Sequence, residues 1–173
     1  LLLGGAGTGK TFLATKKAVD LDRAGIKTLM LYFNKPITNF VKDQIKASKQ
    51  VDVFSFHEYC KIIADDKNID LDLKTRKELS LKDLPNALDA ALLAGFKSCY
   101  DALIIDEVQD FEEEWLESLL LSLKDLDHAK IFFFGDDNQN IYKKNTNIAQ
   151  LLEVEPFLLS KNVRNAMPIF SFA

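Results

Sequence analysis

The 173-residue sequence lacks any long hydrophobic run. None of its apolar stretches approaches the ~20 residues that span a bilayer, and Leu1 to Leu3 is too brief for a secretory leader. The expectation is a soluble, cytoplasmic protein without a membrane partner. Cysteine is scarce as well: Cys60 and Cys99 stand without metal-ligand spacing and read as reduced, semi-buried thiols with no chemistry of their own. Positive charge is in deficit, 22 Lys and Arg against 26 Asp and Glu, for a net charge of -4. A polyanionic partner would therefore be held by a local groove and not by an overall field. Repeats, low-complexity tracts and flexible linkers are absent too.

With 47% hydrophobic residues, the chain is long enough for one substantial core and short for two, so a single domain over residues 1–173 is expected. It begins inside a strand-like apolar run and ends in another, Ile169 to Ala173, which reads as a fragment of something larger. Buried strands are predicted at Leu1 to Leu3, Thr28 to Phe33, Val51 to Phe54, Ala102 to Ile105 and Ile131 to Phe134. Helical patterns fall between them, at Thr11 to Ala24, Pro36 to Ala47, Ser55 to Ala64 and Glu112 to Leu123, with a further helix over Pro85 to Phe96. Alternating strand and helix predicts an α/β fold, a mostly parallel sheet flanked by helices on both faces. The charged, aperiodic stretch Asp65 to Lys82 breaks this order and reads as a surface insertion within a variable region around 65–98.

Glycine is rare, seven residues in all, yet Gly4, Gly5, Gly7 and Gly9 crowd together just before Lys10 and Thr11. Gly4 to Thr11 fits G-x-x-x-x-G-K-[ST] and stands after an apolar run and before a helix. Over Gly5, Ala6, Gly7, Thr8 and Gly9, backbone N–H groups can turn inward around a phosphate chain, and the following helix presents its positive end to the same anion. Lys10 would reach the terminal phosphates, while Thr11 offers a hydroxyl to Mg²⁺. A plain glycine-rich turn would explain neither the lysine nor the threonine.

Two further strand ends carry polar groups. Ala102 to Ile105 leads directly into Asp106 and Glu107, a pair for which a hydrophobic strand has no structural need. Asp106 can hold Mg²⁺ opposite Thr11, and Glu107 can orient and deprotonate an attacking water, a pairing that suits hydrolysis. The acids that follow, Asp110 and Glu112 to Glu114, fit a helix N-terminus, and Trp115 reads as core or interface. Ile131 to Phe134 ends in "GDDNQNIY", where Gln139 could bond a γ-phosphate or the attacking water, although Gly, Asp and Asn are also ordinary turn residues. Arg164, in "LLSKNVRNAM" after an extended apolar segment, could neutralise charge developing on a transferred phosphoryl group, or be an ordinary solvated arginine.

Taken in order, "GGAGTGKT", "DEVQD", "GDDNQNIY" and "LLSKNVRN" resemble the first, RecA-like motor domain of UvrD/Rep-type superfamily 1 helicases. "LMLYFNKPITNFV" and "VFSFHEYCKIIA" are similar to two further segments of that family, so the resemblance covers nearly the whole chain outside roughly Asp65 to Phe96. It implies a RecA-like P-loop NTPase using ATP and Mg²⁺, with Lys10 and Thr11 on phosphates and metal, Asp106 on metal and Glu107 as catalytic base. By the same resemblance Gln139 and Arg164 are γ-phosphate sensors and Gln109 couples nucleotide state to the nucleic-acid track. Phe33, Asn34, Phe56, His57 and Tyr142 would lie along single-stranded DNA, with RNA left open, and a second motor domain of the same chain would be the other partner.

The family usually has Asn-Tyr-Arg where this chain has Asn162-Val163-Arg164, which removes an aromatic expected to stack on adenine and leaves base selectivity open. Beyond Tyr142, a further stacking aromatic is replaced by Lys143-Lys144, suited to phosphate contacts that weaken with salt. By the resemblance, the segment that binds adenine ahead of the phosphate loop and the second motor domain are expected to lie outside these 173 residues. The expectation is thus an ATP-hydrolysing motor domain of a DNA helicase or translocase, which in isolation binds nucleotide weakly, turns over slowly and does not unwind DNA. The alternative is a nucleotide-gated ATPase switch without strand separation. A P-loop kinase is disfavoured by Glu107 and Gln139.

Overall fold

The computed structural model describes residues 1–66, 84–136 and 154–160. Each predicted apolar run becomes a strand: β1 Leu2–Gly4, β2 Thr28–Tyr32, β3 Val51–Ser55, β4 Ala102–Asp106 and β5 Lys130–Gly135. A short sixth strand, β6 Phe157–Leu159, was not predicted as one. The helices among the described residues are α1 Lys10–Arg23, α2 Lys35–Gln44, α3 Phe56–Asp66, α4 Leu84–Leu93 and α5 Glu113–Ser122, with a 3-10 turn at Val108–Asp110. The strands form one six-stranded sheet in the order β3-β2-β4-β5-β1-β6. Every pairing is parallel, so all strands point their C-terminal ends to one edge.

The alternating pleat divides the core in two. Leu29, Leu31, Leu103, Ile105 and Phe133 face α3, α4 and α5, while Met30, Tyr32, Ala102, Ile104 and Phe134 face α1 and α2. Because both faces are covered, the central strands read as unbroken apolar runs and not as alternating ones. Ala102 through Ile105 are fully buried, and β4 carries Asp106 in on the same terms at 0% exposure. Burial of each large aliphatic side chain stabilises by about 1.5–3 kcal/mol, which is what allows a carboxylate to be held at the end of such a strand.

Within the region read as a variable insertion, α4 is bound into the core. Ala87, Leu88 and Ala91 are buried, and the Ser118 hydroxyl of α5 donates to Asp89. Residues 67–83, which hold most of the charged stretch, lie outside the described residues. At the N-terminal edge of the sheet Lys27 Nζ lies 2.6 Å from Asp52 Oδ2, which also accepts from the Tyr100 hydroxyl at 3.0 Å. The two cysteines differ more than expected. Cys60 is sealed in the α3 face, where burial pushes its thiol up to about 12, while Cys99 is exposed just ahead of β4.

Gly4 is required by close approach. A Cβ there would lie 2.7 Å from Thr8 Oγ1 and 2.8 Å from Leu159 Cβ, between the phosphate loop and β6. Gly4→Ala is expected to lower unfolding stability by about 1–3 kcal/mol through overpacking, as read by urea denaturation.

Candidate nucleotide-hydrolysis site

Three strand exits meet at the C-terminal edge of the sheet, and each contributes a different chemical group. From β1 the chain enters the glycine-rich turn, where the Thr8 hydroxyl and amide both donate to the Gly5 carbonyl, at 2.8 and 3.3 Å. Gly9, at φ 89°, occupies the left-handed region that glycine enters without steric cost, and caps α1. No side chain caps this helix and its first turn holds no acid, so its leading N–H groups and the positive end of its dipole face the cleft. Lys10 folds back over the turn. Its ammonium donates to the carbonyls of Gly4 at 2.8 Å and Gly5 at 3.3 Å and lies 4.0 Å from Asp136 Oδ2.

From β4 come the acids. The Thr11 hydroxyl donates to Asp106 Oδ2 at 2.6 Å, joining residues 95 apart in sequence. Asp106 Oδ1 is buried and has no hydrogen-bond partner among the described residues. Burial, reinforced by the neighbouring Glu107 charge and opposed by the Thr11 hydrogen bond and Lys10, pushes the Asp106 carboxyl up to about 6. Glu107 follows at φ 52°, ψ 50°, the one non-glycine residue with positive φ among the described residues. Such a conformation costs a side-chain-bearing residue of order 1–3 kcal/mol and persists only where the surroundings hold it. The Gln109 side chain does so by donating from Nε2 to Glu107 Oε2 at 2.6 Å.

From β5, lodged between β1 and β4, comes Asp136, whose backbone N–H donates to Gln109 Oε1 at 3.1 Å. The three exits enclose a cleft of about 380 Å³ lined by the glycine turn, Lys10, Thr11, Asp106, Glu107, Gln109 and Asp136. Phe12, Tyr32, Phe33 and Asn34 complete its walls.

These residues suit a nucleotide-borne magnesium ion. Among the described residues no group of three or more His, Cys, Asp or Glu forms a metal cage. A hydroxyl beside a carboxylate with one oxygen left over matches instead the habit of Mg²⁺, which takes one or two protein ligands and completes its shell with phosphate and water.

The sequence-predicted residues divide into three groups. The phosphate-loop residues with Lys10, Thr11, Asp106 and Glu107 are brought together as expected. Gln139, Tyr142, Arg164 and the lysines at 143 and 144 lie outside the described residues. The nucleic-acid candidates among the described residues lie side by side but differ in exposure. Phe33 and Asn34 stand on the cleft rim, Phe33 36% exposed and set edge-on to His57 at 5.4 Å. Phe56 does not lie on any surface: it is 0% exposed, stacked on Trp115 at 5.0 Å and packed against Phe111 at 5.3 Å. Its expected place along a nucleic acid is corrected to a core residue beneath the rim, because α3 turns it inward against the α5 side. Sequence reasoning missed Asp136. Its signal was the strand order, since the strand between the other two must end between their polar groups.

A buried lysine over a glycine turn, a hydroxyl joined to a strand-end carboxylate and a second carboxylate beside it make up the phosphate loop and acid pair of the P-loop nucleotide-binding class. A family described as AAA domain matches residues 1–145, and the chain belongs to it. That match takes in the phosphate loop, both acids and the β5 exit. Solved structures that the chain is similar to include Bacteroides Pif1 bound to ssDNA, at 16% identity and a TM-score of 0.47 over 99% of this chain and 40% of that one. They also include a structure of two coordinating Pif1 helicases at forked dsDNA, at 17% identity and a TM-score of 0.48 over 99% of this chain and 41% of that one. A third is Bacteroides sp Pif1 with ADP-AlF4, at 15% identity and a TM-score of 0.46 over 99% and 40%. The chain thus spans about two fifths of the length of these structures. Comparison with curated proteins gives no match.

The raised Asp106 pKa has a thermodynamic consequence. The folded chain holds this proton more tightly than the unfolded chain, so the contribution to stability is full below about pH 4 and is lost as pH rises through about 6. Relative to Asp106→Asn, wild-type stability is expected to fall by about 2 kcal/mol between pH 4 and pH 7, as measured by urea unfolding at the two pH values.

Proposed function

We propose that this chain is a single ATP-binding and ATP-hydrolysing domain, the first motor unit of a DNA helicase or translocase that acts in the cytoplasm on single-stranded DNA. The observation that carries the reading is the Thr11–Asp106 hydrogen bond, which brings the phosphate loop and the acid pair to one cleft. In this reading the glycine turn and the α1 N-terminus bind the phosphate chain, and Lys10 leaves the Gly4 and Gly5 carbonyls for the terminal phosphates. Thr11 and Asp106 would hold Mg²⁺, which would supply charge neutralisation for the phosphates.

Glu107 orients a water in line with the γ-phosphorus and takes its proton as the oxygen–phosphorus bond forms. The bond to the β-phosphate oxygen breaks, and Lys10 stabilises the charge left on ADP. Gln139 and Arg164 are assigned as γ-phosphate sensors by their motifs. Phe33, Asn34, His57 and Tyr142 are assigned to the nucleic-acid side. A partner motor domain of the same chain would close over the cleft and convert the hydrolysis cycle into movement.

Two measurements test the reading. Glu107→Gln should retain nucleotide binding and lose turnover by at least about 100-fold, whereas turnover at the wild-type rate removes Glu107 from the base role. In the whole protein, phosphate release should rise when single-stranded DNA is added. A rate indifferent to DNA would replace the motor by a nucleotide-gated switch.

A further inference from the structure

We infer that Gln109 is a positioning residue for the Glu107 carboxylate, and that its side-chain amide ties this carboxylate to the exit of β5. The inference rests on the reading of Glu107 as the base and adds what holds it ready.

The geometry of the amide is determined by its partners. Glu107 Oε2 can only accept and the Asp136 backbone N–H can only donate, so Nε2 must face the first, at 2.6 Å, and Oε1 the second, at 3.1 Å. A primary amide is the side-chain group that donates at one end and accepts at the other while staying uncharged. Glutamate at 109 would present an acceptor to an acceptor, leucine would offer neither bond, and asparagine is one methylene short of the span.

The surroundings are shaped for this bridge. Gly135 leaves the passage open, since a Cβ there would lie 3.0 Å from Val108 Cγ1 and 3.3 Å from Gln109 Oε1. Glu107 itself sits in a backbone conformation that is not self-supporting, so a side-chain bond to its carboxylate constrains both the rotamer and the turn. The bridge also has a direction. Asp136 carries at its other end a carboxylate 4.0 Å from Lys10 Nζ, both side chains being 6% exposed. A phosphate that draws Lys10 away from Asp136 therefore acts on the group to which the amide, and through it the base, is attached. An ordered base confers its advantage through a water held in near-attack geometry, which appears in turnover and not in ground-state affinity.

The test uses the whole protein with saturating ATP, Mg²⁺ and single-stranded DNA, together with calorimetric titration of ADP. Gln109→Leu is expected to lower kcat by about 10- to 100-fold while KM for ATP and the ADP dissociation constant stay within about twofold. Gln109→Glu, which keeps the bond to the Asp136 N–H and so guards against loss of folding, should lower kcat at least as far. Added to Glu107→Gln, Gln109→Leu should change turnover no further, because it acts through the group already removed.

Wild-type kcat in both Gln109 variants, with Glu107→Gln inactive, overturns the inference and leaves the base reading standing. Loss of kcat, ADP affinity and urea stability together in both variants means an ordinary structural role and also overturns it. Full turnover in Glu107→Gln overturns the base reading and the inference with it.

Discussion

The hydrogen bond from the Thr11 hydroxyl to Asp106 is the constraint on which the site depends. It joins the first turn of α1 to the last residue of β4, and it forms only if the sheet places those strands' exits on the same edge. Parallel pairing throughout achieves that, and burial on both faces keeps it from slipping, because a one-residue shift of β4 would turn Leu103 and Ile105 onto the wrong helices. The core therefore sets the distance between a hydroxyl and a carboxylate. The cost is a carboxyl group whose pKa burial pushes up to about 6, with one oxygen that has no hydrogen-bond partner among the described residues. Such a local deficit is characteristic of a site whose last partner arrives with a ligand.

Much of the fold was legible because the sheet is buried on both sides. Strands of this kind announce themselves as short apolar runs, and the five runs read from the sequence match β1 to β5 to within a residue or two. The helices were legible from their ends, Pro36 near the start of α2 and Gly25 after α1 among them. β6 was harder. Phe157 and Leu158 are exposed, the strand is only three residues long, and its identity comes from pairing with β1 and not from any pattern of its own. Phe56 illustrates the opposite difficulty. Nothing beside it in sequence distinguishes an aromatic on a rim from one beneath it; Phe111 and Trp115 decide the matter from far along the chain.

The candidate site was legible where chemistry conflicts with local structure: a lysine and threonine behind glycines, and acids at the end of a hydrophobic strand. Asp136 was hidden because Gly-Asp-Asp-Asn is what an ordinary turn uses. The backbone strain at Glu107 was hidden for another reason, since no residue type signals a glutamate in the left-handed region. The place of Asp136 follows from the strand order. β5, wedged between the phosphate-loop strand and the acid strand, ends within reach of both, so Asp136 belongs to the site whatever its local propensity.

The unequal burial of the two thiols has a practical consequence. A maleimide dye at neutral pH meets one accessible sulfur, Cys99, while Cys60 is both enclosed and too weakly acidic to present a thiolate. Cys99 precedes β4 and so lies at the sheet edge opposite the cleft. Over residues 1–173 the sequence thus offers one attachment point for a fluorescent reporter that leaves the cleft untouched.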